Sequence, residues 1–427
     1  MTLPLPGPPR TALLDPAERL NALFVIHNLR MGGAERTLLT YVNHAQLFRP
    51  TVLLVQREVE LLQELNPSVR LYDLSSRRAR ALIESNLPPL PLGRNITAPL
   101  LDRMREFVSG PLLIPLLWRA YRLNRFAEET GARVVSSFLN KSHTIALFAK
   151  LFFNPRLRVV INSHELLSQH VDHFFTPPGR LLMRGFVRTL FPHADGFVAV
   201  AEGVRQDLIR NFSLPAERIV VVHNPLDLTR IRQLACEAVP SAHHDAGGLL
   251  VVAVGRLVKL KGFDLLLRAF ARLPRQAGAR LMILGEGPER RALERLIREL
   301  DLGERATLVG RQENPWKYMA RADVFVLSSL TEAFPNVIGE ALALGRPVLA
   351  TDCSAGIREF LADGECGLLV PPGDVVALAA GLERLLGEPE LRRRLTDSGL
   401  RRAEAFDLLP TVSRYEATLL GTFDPVR

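Results

Sequence analysis

A chain of 427 residues exceeds what one hydrophobic core usually organises, so two domains are expected. Its 47% hydrophobic and 23% charged residues describe a globular protein and exclude a disordered or low-complexity one. The net charge of +9 and pI near 10.0 point to an anionic partner: nucleic acid, anionic lipid or a phosphorylated substrate.

Cys236, Cys353 and Cys366 are odd in number and lack metal-ligand spacing, which argues for a reducing compartment and against a disulfide scaffold. No run reaches the roughly 18 apolar residues of a membrane-spanning helix. The longest, around Leu112 to Trp118 and Ile145 to Phe153, are interrupted by Pro115, Lys150 and Asn154. The proline-rich residues 1–10 lack the basic-then-apolar order of a signal peptide, so the expectation is a cytoplasmic protein, with peripheral contact at the inner face of the membrane.

In chain order, residues 1–18 read as a flexible tail and 19–228 as a first α/β domain. Leu20 to His27 is a strand, followed by Asn28 to Gly33 and a helix from about Ala34. The Gly32-Gly33 pair either lets backbone amides approach a ligand or makes a tight strand-to-helix turn. Thr51 to Gln56 and Val69 to Leu74 are strands. Residues 75–110, with Arg77, Arg78 and Arg80 and then Pro88, Pro89 and Pro91, read as an insertion or lid. A helix over Leu112 to Glu129, a strand over Arg133 to Phe138 and a helix over Thr144 to Phe152 follow. The strand Arg158 to Asn162 ends in Ser163-His164-Glu165, where His164 either touches substrate or caps a turn.

The helix Pro178 to Phe191 carries Arg180, Arg184 and Arg188 on one face, flanked by Leu181, Leu182, Val187, Leu190 and Phe191. It is either a solvated basic face over an ordinary core or an interfacial helix meeting anionic lipid. Strand Gly196 to Val200, helix Glu202 to Asn211 and strand Arg218 to His223 close the domain. A linker is expected over 229–248; its His243 and His244 have no carboxylate or cysteine framework for a metal.

The second domain, 249–405, opens with strand Leu249 to Val254 and the loop Gly255-Arg256-Leu257-Val258-Lys259-Leu260-Lys261-Gly262. Arg supplies a planar fork and Lys a compact point charge, the two kinds of cation a diphosphate leaving group needs as its bond breaks. After strand Leu281 to Gly285 comes a lone Gly-x-Gly, without the third glycine of a dinucleotide fingerprint. Strand Thr307 to Gly310 ends at Arg311. The apolar run Ala322 to Leu327 reads as a buried parallel strand, and Gly339 to Leu344 as helix ending at Gly345. Between them Glu332 and Glu340 form a Glu-x7-Glu pair around a helix start whose amides, near Phe334, Pro335, Asn336 and Val337, can receive phosphate oxygens. By itself this is either a nucleotide-sugar pocket or an ordinary loop with two solvated glutamates. A helix over 406–427 closes the chain.

The segment Ser328 to Ala341, continuing through Pro347 to Asp352, resembles the signature of the retaining glycosyltransferase family 4. So do Gly-Arg-Leu…Lys-Gly-Phe-Asp at Gly255 to Asp264, and Gly32-Gly33-Ala34-Glu35-Arg36, which is similar to a loop of members that often use lipid-linked acceptors. The resemblance implies a GT-B fold, two Rossmann-like doubly wound domains facing a central cleft, with the acceptor in the first, the donor in the second and 406–427 crossing back. It implies that Glu332 faces the donor sugar, Glu340 holds the ribose, Arg256 and Lys261 hold the diphosphate, and His164 lies near the sugar. Gly32 and Gly33 then serve phosphate or acceptor, and Arg311 lies near the base. Ala201 stands where the family commonly has Ser, which removes a hydroxyl cap.

The expected reaction is transfer from a UDP-hexose or UDP-N-acetylhexosamine to a lipid-linked or polysaccharide-precursor acceptor, with retention. No Asp-x-Asp pair occurs, so no metal or other cofactor is expected. No aromatic-interleaved basic stripe supports nucleic acid as partner. A GT-B epimerase of UDP-sugars and a non-catalytic membrane-associated scaffold are the alternatives.

Overall fold

Two all-parallel sheets organise the chain in the computed structural model, which describes residues 19–30, 32–74, 110–239, 248–275 and 278–421. One compact unit comprises residues 1–225 with 409–427, the other 226–408. The tail 1–18, the expected insertion from Ser75 onward to residue 109, and His243 and His244 lie outside the described residues.

The first unit holds strands β1 (Leu20–Ile26), β2 (Phe48–Leu54), β3 (Arg70–Asp73), β4 (Val134–Phe138), β5 (Arg158–Ser163), β6 (Gly196–Ala199) and β7 (Ile219–Val221). Their order is β3-β2-β1-β4-β5-β6-β7, all parallel. Central strands such as Val134-Val135-Ser136-Ser137-Phe138 are buried along their whole length, because helices cover both faces of a parallel sheet. The closing helix Leu408–Leu420 belongs mainly to this unit. Its Tyr415 stacks on Tyr41 with ring centroids 3.7 Å apart, and the Tyr415 hydroxyl lies 2.6 Å from Ser136 Oγ on β4. Ala201 stands at the N-cap of helix Glu202–Phe212 and makes no side-chain cap.

The second unit holds β8 (Leu250–Val254), β9 (Arg280–Leu284), β10 (Ala306–Gly310), β11 (Val324–Leu327), β12 (Val348–Thr351) and β13 (Leu368–Val370). The order is β10-β9-β8-β11-β12-β13, again parallel. Helix Phe263–Ala271 is amphipathic and lays Phe263, Leu266, Leu267 and Phe270 against Val251, Ala253, Val324 and Val326. Each such fully buried side chain stabilises the fold by about 1.5–3 kcal/mol before entropy is counted.

One expectation is corrected. The span read as a linker begins as an ordered helix, Leu228–Ala235, in the second unit. Asp227 caps it by accepting from Arg230 N at 2.9 Å, and Leu228, Ile231 and Ala235 are buried. Arg232 Nε donates to Ala343 O at 3.3 Å, and Asn314 Nδ2 to Leu234 O at 2.8 Å, so the helix is tied to the second unit. Among the described residues no helix is long and apolar enough to cross a membrane.

Candidate active site

In the second sheet the strand order reverses between β8 and β11, and in open α/β sheets ligands bind outside the carboxyl ends at such a point. Val251 pairs with Val324 and Val252 with Phe325, which brings the two strand ends level. The loops leaving them, Gly255–Gly262 and Ser328–Pro335, are tied together. Leu330 N donates to Leu260 O at 2.8 Å, and Ser328 Oγ to Lys261 O at 2.9 Å. Gly262 makes this approach possible: its φ is +60°, and a Cβ there would strike Ser328 O.

Lys261 Nζ is ion-paired with Glu332 Oε1, and Ser329 Oγ donates to the same oxygen at 2.6 Å. The side chains are only 21% and 13% exposed, so water screens the pair weakly. Arg256, on the same loop as Lys261, is exposed, and its guanidinium has no partner among the described residues. Its loop is held from below: Leu257 N donates to Glu286 O at 2.9 Å and Glu289 N to Leu257 O at 3.0 Å. The lone Gly-x-Gly serves this packing, since a Cβ on Gly287 would collide with Leu257 O. The site therefore presents one free fork, one ammonium with N–H donors to spare, and one oriented carboxylate.

Helix Asn336–Ala343 starts at Pro335, at the end of the same loop; Ile338 N donates to Pro335 O at 3.0 Å, and no side chain among the described residues caps the helix start. The Phe334 ring points elsewhere: it stacks on Phe360 at 3.9 Å between centroids and abuts Phe406. What Phe334 can offer a ligand is its backbone. Glu340 is half-buried on the same helix as Asn336 and Val337. Arg311 stands apart, exposed after Gly310 at the end of edge strand β10, two strands from β8.

The first sheet reverses between β1 and β4. Gly32 and Gly33 open helix Gly33–Asn43 after β1, where Thr37 Oγ1 donates to Gly33 O at 2.8 Å. His164 follows β5 and stacks on Phe138, the last residue of β4, at 5.3 Å. Its Nε2 is enclosed and has no hydrogen-bond partner among the described residues. Burial draws its pKa down to about 4, so at neutral pH it is an uncharged imidazole. The sequence reading missed its neighbour His143, whose Nδ1 lies 2.9 Å from Ser137 Oγ and whose pKa is pushed to about 3 by burial and then by His164. Leu139, between β4 and helix Asn140–Phe148, has φ +67°, a strained value for a residue with a side chain. The closeness of His143 to His164 has no local sequence signal, because it arises from β4 and β5 lying side by side. Glu165 is held by Asn140 Nδ2 and His170 Nδ1, each at 3.0 Å.

Residues 31–230 match the family described as Glycosyltransferase Family 4, and 238–402 match Glycosyl transferases group 1. Over 396 residues, 93% of this chain and 98% of that protein, the sequence is 32% identical to the N-acetylgalactosamine-N,N'-diacetylbacillosaminyl-diphospho-undecaprenol 4-alpha-N-acetylgalactosaminyltransferase of Campylobacter jejuni. It is 30% identical over 295 residues to the alpha-D-kanosaminyltransferase of Streptomyces kanamyceticus, covering 66% of this chain and 75% of that one. The fold is shared with Anabaena Alr3699/HepE, solved in complex with UDP, at a TM-score of 0.73 and 21% identity over 95% of this chain and all of that one.

Proposed function

The chain belongs to glycosyltransferase family 4, with the GT-B fold, and on that premise we propose that it moves a hexose or N-acetylhexosamine from UDP to a lipid-linked acceptor, retaining anomeric configuration without a divalent metal. The observation that carries this reading is the Lys261–Glu332 pair at the β8–β11 switch point, on a loop that also carries Arg256, which has no partner among the described residues. A departing diphosphate gathers negative charge on its oxygens, and on this reading two cations and a helix start take the role that a metal has elsewhere. Glu332 accepts a hydroxyl of the sugar and stabilises positive charge developing at the anomeric carbon, while the departing phosphate serves as base for the acceptor. Glu340 takes the ribose hydroxyls, and Arg311 flanks the base. The N-terminal unit receives the acceptor, with Gly32, Gly33 and His164 at its own switch point.

UDP is favoured by the HepE complex, and a polyprenyl-diphosphate acceptor by the name of the Campylobacter relative. Contact with an anionic membrane is supported by helix Pro177–Leu190, where Leu181 and Leu182 are 76% and 50% exposed, near Phe174 at 68%. Arg180 and Arg188 accompany them, donating to Phe175 O at 2.9 Å and Asn211 O at 3.0 Å but with no carboxylate partner among the described residues, whereas Arg184 is ion-paired with Asp172 at 3.0 Å.

The test is a thermal-shift series with UDP, GDP and ADP in EDTA, followed by transfer from UDP-sugars to a polyprenyl-diphosphate-linked sugar. Stabilisation by UDP that Arg256→Ala abolishes, with transfer in EDTA, is the expected result. Transfer that stops in EDTA and returns with Mg²⁺ or Mn²⁺ would remove the metal-independent part. No nucleotide binding at all would remove the donor assignment.

A further inference from the structure

We propose that Ser329 is a positioning residue for Glu332: its hydroxyl holds Oε1 so that Oε2 is the oxygen offered to the donor sugar. Both described donors to Glu332, Lys261 Nζ and Ser329 Oγ, converge on Oε1, and Oε2 accepts no hydrogen bond among the described residues. Ser329 is 0% exposed, so bulk water does not compete for its hydroxyl, which is directed at Glu332. Its backbone is anchored from the adjacent strand, because Thr351 Oγ1 at the end of β12 donates to Ser329 O. The line Thr351–Ser329–Glu332 thus runs from the sheet to the loop carboxylate.

Lys261 cannot do this alone. An ammonium is a point charge without a directional fork, and a bound diphosphate competes for it. When Lys261 turns toward phosphate, its hold on Oε1 weakens while the fully buried Ser329 keeps its own. A glutamate on a loop has several rotatable bonds, and a misplacement of about 1 Å at a reacting group costs on the order of a hundredfold in rate. Restraining one oxygen from beneath removes that freedom.

The inference rests on the nucleotide-sugar reading above, and the test separates the two. UDP carries no sugar, so it reports on the diphosphate site without Glu332 orientation. Ser329→Ala in the full chain should leave UDP affinity within about twofold of wild type and lower kcat about ten- to hundredfold, the range for a hydrogen bond to a charged group. Ser329→Thr, which keeps the hydroxyl, should recover most of the loss. If Ser329 acts through Glu332, then in a Glu332→Gln background Ser329→Ala should lower kcat by no more than about twofold further. An unchanged kcat, a fall in UDP affinity that parallels kcat, or full additivity with Glu332→Gln would each overturn the assignment. A wild-type chain that neither binds UDP nor transfers sugar overturns the donor reading and this inference with it.

Discussion

Lys261 and Glu332 form an ion pair between loops that leave adjacent strands, β8 and β11, at the point where the strand order of the second sheet reverses. The pair joins the cation suited to a departing phosphate with the carboxylate suited to a sugar, so charge is balanced before any donor arrives. Removing one member leaves the other enclosed without its partner.

Lys261→Ala should therefore weaken UDP binding at least about tenfold and lower kcat by about a hundredfold or more, the range for losing one preorganised electrostatic group. Lys261→Arg should restore UDP binding in part, since a planar fork replaces the ammonium imperfectly. Calorimetric titration with UDP and initial rates with a UDP-sugar measure the two effects separately.

Gly287 lies beneath the loop that carries Arg256 without being a ligand itself. Gly287→Val places a branched side chain against Leu257 O and pushes that loop outward. Stability should fall by about 1–3 kcal/mol, and UDP affinity should fall toward that of Arg256→Ala. Urea denaturation and UDP titration of both variants check this; wild-type UDP affinity in Gly287→Val would show that the loop does not need this packing.

Stability should depend on pH through two opposed effects in the first unit. His143 and His164 are held at about 3 and about 4 by burial, below the ordinary 6.5. The unfolded chain then takes protons the folded chain refuses, and stability falls as pH drops from about 6.5 toward 4. Glu416 works in reverse. It is 2% exposed and accepts from Gln46 N at 2.9 Å and Leu47 N at 3.0 Å, and burial raises its pKa from 4.5 to about 7 against the backbone bonds and Arg19. Its effect favours the folded state at low pH and is lost as pH rises through about 7, on the order of 3 kcal/mol. Glu416→Gln should consequently be more favourable at pH 8 than at pH 5, measured by urea denaturation at both. An equal effect at the two values would mean that Glu416 titrates normally.

Cys353 lies near the Lys261–Glu332 pair, and its thiol is raised to about 11 by burial first and then by Glu332, with Thr351 and Lys261 acting the other way. Only the thiolate reacts, so alkylation by iodoacetamide should be slow at pH 7.5 and accelerate toward pH 10. Glu332→Gln removes one cause and should speed it. Peptide mapping against the exposed Cys236 gives the comparison. Rapid labelling of Cys353 at pH 7.5 in wild type would contradict this environment.

Much of this architecture is legible in local sequence because its causes are local. Short apolar runs such as Ala322 to Leu327 and Leu249 to Val254 could only be strands covered on both faces, and the glycines and prolines after them mark where each loop turns. Helix Leu228–Ala235 was hidden for the opposite reason. Its polar surface resembles a linker, and what orders it is distant in the chain: Ile231 and Ala235 are buried, and Arg232 donates to Ala343 O, 111 residues away.

Residue types at fixed offsets determined that two parallel α/β units carry a Glu-x7-Glu loop and an Arg–Lys loop, since helix starts, tight turns and charge are properties of neighbours in sequence. Only the tertiary structure decided that Lys261 meets Glu332 while Arg311 stands at an edge strand, and that Phe334 gives its ring to the core. It alone decided that Ser329 bonds Glu332, that His143 lies near His164 and that Gly287 packs against Leu257. Those facts follow from strand order, which places β8 beside β11 and β4 beside β5. Which strands become neighbours is settled by burying both faces of a sheet at once, a global condition that no single stretch of sequence contains.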